Sequence, residues 1–220
     1  MPFDEYVKWA LYDKEIGYYT REKQRVGKNV DSDFFTSSSL HSSVWGKLLI
    51  EASSTLIKEG EPADYVFVEI AAEPEKNSLS DLPHPFKATQ TIRLGEPLNI
   101  PEDSIVFSNE WLDAQPFKRY RFDPTTKNWN EIGVTMKEEK WTEVALPPVL
   151  QDEDVILTFP NDLNIKYTID WPTGAEASLN NLVKETWQGL FITFDYGLDK
   201  ERIFRVFPDG TGRSYSNHQM

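Results

Sequence analysis

The sequence contains no cysteine, an absence that removes disulfides, thiolate catalysis and cysteine metal sites together. Its three histidines, His41, His84 and His218, are scattered without metal-ligand spacing, so no metal site is expected. No apolar run approaches membrane-spanning length, and the opening Met1-Pro2-Phe3-Asp4-Glu5 carries acids where a signal peptide has a positive region. The expectation is a reducing, cytoplasmic setting without membrane insertion. Positive charge is also scarce: 23 Lys and Arg face 36 Asp and Glu, a formal net charge of -13. Contacts to nucleic acid or an anionic membrane surface depend on clustered Lys and Arg, so the composition argues for a protein partner with a basic surface instead. Composition does not decide the oligomeric state.

What is present is enough for a large core. The chain has 220 residues, 39% of them hydrophobic and 13% aromatic, with seven Trp, which excludes a disordered segment and fits one domain with an appended lobe. Phe3, Tyr6, Val7, Ala10 and Leu11 recur at helical spacing and predict a short amphipathic helix over Phe3 to Tyr12. A second helix follows a serine-rich start, with Leu40, Val44, Leu48, Leu49, Ala52 and Leu56 assigned to one face. Tyr65 to Ile70, Thr91 to Leu94, Ile105 to Ser108 and Leu190 to Phe194 read as strands. Between them the period changes to two: Phe117 to Phe122 and Trp129 to Thr135 flank a turn at Asp123-Pro124, and Trp141 to Leu146 adds to an antiparallel set. Pro147 to Pro172 is proline- and acid-rich and reads as a connection or small lobe, and Ala175 to Trp187 as a modest helix.

The candidate chemistry sits in Asn109-Glu110-Trp111-Leu112-Asp113-Ala114-Gln115-Pro116, directly after a buried strand. In open α/β sheets ligands gather outside the carboxyl ends of the strands. If a helix begins there, Glu110 and Asp113 stand one turn apart and face one crevice. Two acids and an amide at such a strand end make Asn109, Glu110 and Asp113 the candidate catalytic residues. The alternative is that Glu110 and Asp113 cap a helix or pair with Arg119 and Arg121.

Gly17-Tyr18-Tyr19-Thr20, Asp33-Phe34-Phe35-Thr36-Ser37, Phe67-Val68-Glu69-Ile70, the Asn109 to Pro116 string and Phe194-Asp195-Tyr196-Gly197, in this order, resemble the MidA-type methyltransferases. That family includes the mitochondrial complex I assembly factor that methylates an arginine of a complex I subunit. The resemblance covers nearly the whole chain, and its most specific part is the Asn-Glu-x-x-Asp-Ala-x-Pro string. It implies an α/β protein with a Rossmann-like class I methyltransferase sheet, S-adenosylmethionine as cofactor, and a domain in which 1–60 form a helical cap, 61–116 and 173–220 the core, and 117–172 a strand-rich antiparallel insertion. On the matching positions it implies cofactor contacts from Tyr19, Thr36, Glu69, Ala71, Asp195 and Tyr196. Glu96 is the nearest acid for the cofactor ribose.

The pattern also departs from that family. A glycine-rich loop is typical after the first strand, because only glycine allows the tight turn and close backbone approach; here Ala71-Ala72-Glu73-Pro74-Glu75 stand instead. The residues alone favour packing aromatics for Tyr18 and Tyr19 and an ordinary strand-to-turn exit for Asp195-Tyr196-Gly197. Two function classes follow: a methyltransferase acting on a protein side chain, arginine by resemblance, or a non-catalytic descendant that binds a partner through the same fold.

Overall fold

The computed structural model describes residues 1–20, 42–72, 77–147 and 153–213. A helix α1 (Phe3–Tyr12) and a helix α2 (Ser42–Leu56) precede a parallel sheet built from β1 (Val66–Ile70), β2 (Ala88–Ile92), β3 (Asp103–Asn109) and a later strand, β8 (Gln188–Phe194). Its order is β2-β1-β3-β8. Between β3 and β8 the chain makes β4 (Lys118–Asp123), β5 (Asn128–Lys137), β6 (Lys140–Ala145), the short helix α3 (Glu153–Ile156), β7 (Tyr167–Trp171) and α4 (Thr173–Lys184); α5 (Lys200–Val206) follows β8. Strands β6-β5-β4-β7 form a second, wholly antiparallel sheet. No described helix is long and apolar enough to cross a membrane.

The central strands of the parallel sheet are buried on both faces, as crossover topology demands. Phe67, Ile105 and Phe107 point to one side and pack with Leu49 and Phe86, while Val68, Ile70 and Val106 point to the other and pack with Trp111 and Leu182. Phe67, Val68, Ile105, Val106 and Phe107 are fully inaccessible, each contributing about 1.5–3 kcal/mol of hydrophobic stabilisation. The antiparallel sheet has its own core of Tyr120, Phe122, Phe159, Tyr167 and Ile169.

Three expectations need correction. The segment before Pro172 contains a true strand: Tyr167–Trp171 pairs with β4, Tyr120 opposite Ile169. Its five residues alternate apolar and polar, but the acidic, proline-rich flanks conceal so short a pattern. The strand expected at Thr91 begins earlier, at Ala88, in register with Val66. In α2 the buried stripe is Gly46, Leu49 and Ser53, whereas Val44, Leu48 and Leu56 are exposed. The helix is drawn in at Gly46, where an added Cβ would lie 2.3 Å from the Ser78 carbonyl oxygen, and that close approach sets which face turns inward.

Candidate functional site

Parallel pairing sets Ser108 beside Thr193 and Asn109 beside Phe194, so the carboxyl ends of β3 and β8 are adjacent and open in the same direction. The Ser108 hydroxyl donates to Thr193 Oγ1 at 2.9 Å, and the Glu110 N–H donates to the Phe194 carbonyl at 2.8 Å, prolonging the pairing by one residue. No helix follows. Glu110 adopts φ 52°, a left-handed conformation that non-glycine residues adopt at a cost of about 1–2 kcal/mol, and residues 111–115 form an irregular turn ahead of Pro116.

The turn is held by a side chain from the neighbouring strand. The Asp195 carboxylate accepts hydrogen bonds from the N–H of Leu112 at 2.6 Å, of Asp113 at 3.2 Å and of Tyr196 at 2.9 Å. Asp195, anticipated as a cofactor contact or plain turn residue, is thus the cap of the acid turn. From the other side the Tyr12 hydroxyl of α1 donates to the Ala114 carbonyl at 2.7 Å. Where α4 begins, Gly174 donates to the Pro116 carbonyl at 2.9 Å, and a Cβ there would lie 2.4 Å from that oxygen. Only glycine allows the helix to dock so closely.

This arrangement crowds three carboxyl groups. Burial raises the Asp113 carboxyl to about 7, aided by the charges of Asp195 and Glu110. Asp113 is nevertheless an exposed residue, open to solvent on its outer side. Burial also raises Glu110, with Asp195 adding to it, while hydrogen bonds from Asn109 and Tyr196 act in opposition. The Asn109 amide donates to Glu110 Oε1 at 3.4 Å. The anticipated pairing with Arg119 and Arg121 does not occur. Arg119 binds Asp170 and Glu143, and Arg121 binds Glu143, because both arginines lie on the antiparallel sheet among acids of β6 and β7.

Beside the turn lies a cleft of about 1200 Å³. Ile70, Leu94, Leu98 and Trp111 supply apolar lining, Tyr12, Tyr19 and Thr20 line it from the N-terminal segment, and Gln115, Ser178 and Asn181 supply polar groups. Tyr19 stacks on Tyr12 with centroids 5.5 Å apart. Glu96 lines the cleft, but its carboxylate is turned back to accept the Arg93 N–H at 2.7 Å. Ala71 begins the loop after β1 at φ 65°, with its N–H bonded to the Ile92 carbonyl at 2.8 Å.

Not every anticipated residue joins this site. Glu69 shares the strand face of Phe67, away from Ile70 and Trp111, and its carboxylate accepts from the Ser78 N–H and hydroxyl. Burial raises it to about 7 against those two hydrogen bonds. Tyr196 is 73% exposed. Thr36 lies outside the described residues. Conversely, Tyr12, Trp111 and Gln115 belong to the site although sequence reasoning gave them no role; Tyr12 sits in an amphipathic helix, where an aromatic reads as packing. Among the described residues no group of three or more His, Cys, Asp or Glu could hold a metal ion.

A family model described as "Putative S-adenosyl-L-methionine-dependent methyltransferase" matches residues 46–220. No curated protein matches. A crystal structure from Burkholderia thailandensis, described as a "likely methyl transferase" bound to S-adenosyl-homocysteine, superposes with a TM-score of 0.72 at 18% identity, over 93% of this chain and 60% of that one. A native crystal structure of a protein from the same organism and superfamily gives 0.68 at 16% identity, over 93% and 59%. At such identities the likeness establishes the fold, a Rossmann-like class I sheet, and this chain spans about three fifths of the length of those structures. With four fifths of its length matched by the family model, the chain belongs to this S-adenosyl-L-methionine-dependent methyltransferase family, the MidA-type family that its motifs resemble.

Proposed function

We propose that the protein transfers a methyl group from S-adenosylmethionine to a protein side chain, with an arginine guanidinium as acceptor. The observation that carries this reading is the turn after β3, which brings Glu110 and Asp113 together beside a cleft lined by Trp111, Gln115 and Pro116 of the same turn. The cleft suits an adenosyl group: Ile70, Leu94, Leu98 and Trp111 offer apolar surface to a base, and Glu96, Ser178 and Asn181 offer hydrogen-bonding groups to a ribose. In this reading Tyr19, which lines the cleft, covers the cofactor from the N-terminal segment, and Ala71, next to the lining residue Ile70, contacts it from the loop after β1.

The cofactor supplies an electrophilic methyl group. The chain's own residues hold the acceptor. A guanidinium entering between Glu110 and Asp113 is gripped by charge-assisted hydrogen bonds, its positive charge is drawn to the far nitrogens, and the near nitrogen is aimed at the cleft. Asn109 steadies Glu110 in this grip. Methylation of a guanidinium releases one proton, and Asp113, with a carboxyl titrating near neutrality, is placed to accept it. The net charge of -13 favours an acceptor protein with a basic surface, and the absence of cysteine suits the cytoplasm. In this reading 1–60 serve as a cap, 61–116 and 173–220 as the catalytic core, and 117–172 as an insertion.

The loop after β1 supports a second reading. Positions 71–75 hold no glycine, and Ala71 occupies a left-handed conformation that glycine would adopt freely. A fold that has lost cofactor binding and serves as a partner-binding protein accounts for that loop. Incubation with methyl-labelled S-adenosylmethionine and arginine-containing peptides separates the two. Label on arginine that disappears in Asp113→Asn supports the enzyme, and unlabelled peptide with every arginine context sinks it.

A further inference from the structure

The acid turn is gripped from two sides by residues far from it in sequence. Asp195 satisfies the N–H groups of Leu112 and Asp113, and Tyr12 satisfies the carbonyl of Ala114. We infer that Tyr12 is a positioning residue of the acceptor site, a latch through which helix α1 fixes the Asp113 carboxyl in its crowded place. This inference rests on the reading of Asp113 as an acceptor-side acid.

Tyr12 touches every wall that meets at the turn. Its hydroxyl reaches Ala114, its ring stacks on Tyr19, and its Cδ1 lies 3.3 Å from where a Cβ on Gly95 would stand, beside the loop that leaves β2. It is also close enough to Asp113 to feel its charge: burial first, then Tyr19 and Asp113, raise the Tyr12 phenol. A phenol held protonated keeps its proton available for the Ala114 carbonyl.

Helix α1 can hold such a latch because its other end is fixed. Phe3 packs on Phe117 at 5.4 Å and under the Arg119 guanidinium at 4.3 Å, Tyr6 packs on Trp141 at 5.1 Å, and Pro2 bridges to Gly133. The antiparallel sheet thereby positions α1, and α1 positions the turn. Charged and titratable groups facing Asp113 are Glu110 and Asp195 from the strand ends and Tyr12 from α1, with Tyr19 behind Tyr12; α1 and the turn after it also bring Lys8 and Lys14 to the cleft.

The test follows the Asp113 carboxyl by carbon-detected NMR titration, assigned with Asp113→Asn, in the wild type, Tyr12→Phe and Tyr12→Ala, alongside thermal unfolding. A latch predicts that the Asp113 midpoint falls toward the ordinary carboxylate range. The fall is smaller for Tyr12→Phe, which keeps the ring, and reaches at least tenfold in proton affinity for Tyr12→Ala. A midpoint unmoved in both variants, with only the melting temperature lowered, overturns the inference and leaves Tyr12 as packing. Should Tyr12→Ala fail to fold, Tyr12→Leu carries the same comparison. Calorimetry of the wild type with S-adenosylhomocysteine is run separately. Absence of binding counts against the methyltransferase reading and leaves the titration result standing.

Discussion

Two crowded groups of carboxylates, one in each sheet, have opposite electrostatics. In the antiparallel sheet Asp170 accepts Arg119 through Nε at 2.7 Å and Nη2 at 3.1 Å, and the N–H groups of Thr211 and Gly212 at 2.9 and 2.7 Å. Glu143 beside it is raised by burial, yet Arg119 and Arg121 outweigh that and hold its carboxyl below the usual range. At the edge of the parallel sheet, Glu110, Asp113 and Asp195 have no Lys or Arg paired with them among the described residues, and burial with mutual repulsion pushes Asp113 and Glu110 up. Acids matched to guanidinium groups of the same chain hold a fold together. Acids without such a partner among the described residues are the ones we propose to receive a guanidinium from an acceptor protein.

The contrast can be broken from either side. Asp113→Asn should lower methyl transfer by about 10²–10⁴-fold, the range of a lost proton acceptor, with a melting temperature unchanged or higher. Asp170→Ala should leave methyl transfer intact and instead cost about 3–5 kcal/mol in urea unfolding, because it removes the buried bidentate partner of Arg119, leaving it only the exposed Glu143 among the described residues, and frees the 211–212 backbone.

pH sharpens the contrast further. Asp113 and Glu69 titrate near 7 when folded but near 4 in an unfolded chain, so between those values the folded state binds more protons. Their stabilising contribution is therefore full below about pH 4 and is lost as pH rises through about 7. Urea midpoints should be higher near pH 5 than near pH 8, and Asp113→Asn should flatten part of that slope. The smallest effect is expected from Ala71→Gly. Relief of the left-handed conformation, about 1–2 kcal/mol, exceeds the added unfolded-state entropy of glycine, about 0.5–1 kcal/mol, for a net gain of up to about 1 kcal/mol in the same assay.

Much of the parallel sheet was legible because its strands are continuous apolar runs buried on both faces, as Val66 to Ile70 and Ile105 to Phe107 show. The Asn109 to Pro116 string stood out because polar groups follow such a run at once. The irregular turn it forms was not legible, since an Asp195 carboxylate 82 residues away takes the N–H of Asp113, and no local pattern encodes that. The partners of Arg119 were hidden for the same reason: Asp170 is 51 residues distant on a strand whose five residues alternate too briefly to announce it. Tyr12 closes the predicted first helix, and nothing local marks the bond its hydroxyl makes to Ala114, 102 residues away.

The central claim is that the cleft beside Trp111 is a cofactor site facing an acid turn. Isothermal titration of the protein with S-adenosylhomocysteine tests it most directly. The account predicts micromolar binding with matching thermal stabilisation, whereas no heat and no rise in melting temperature at millimolar ligand would contradict it.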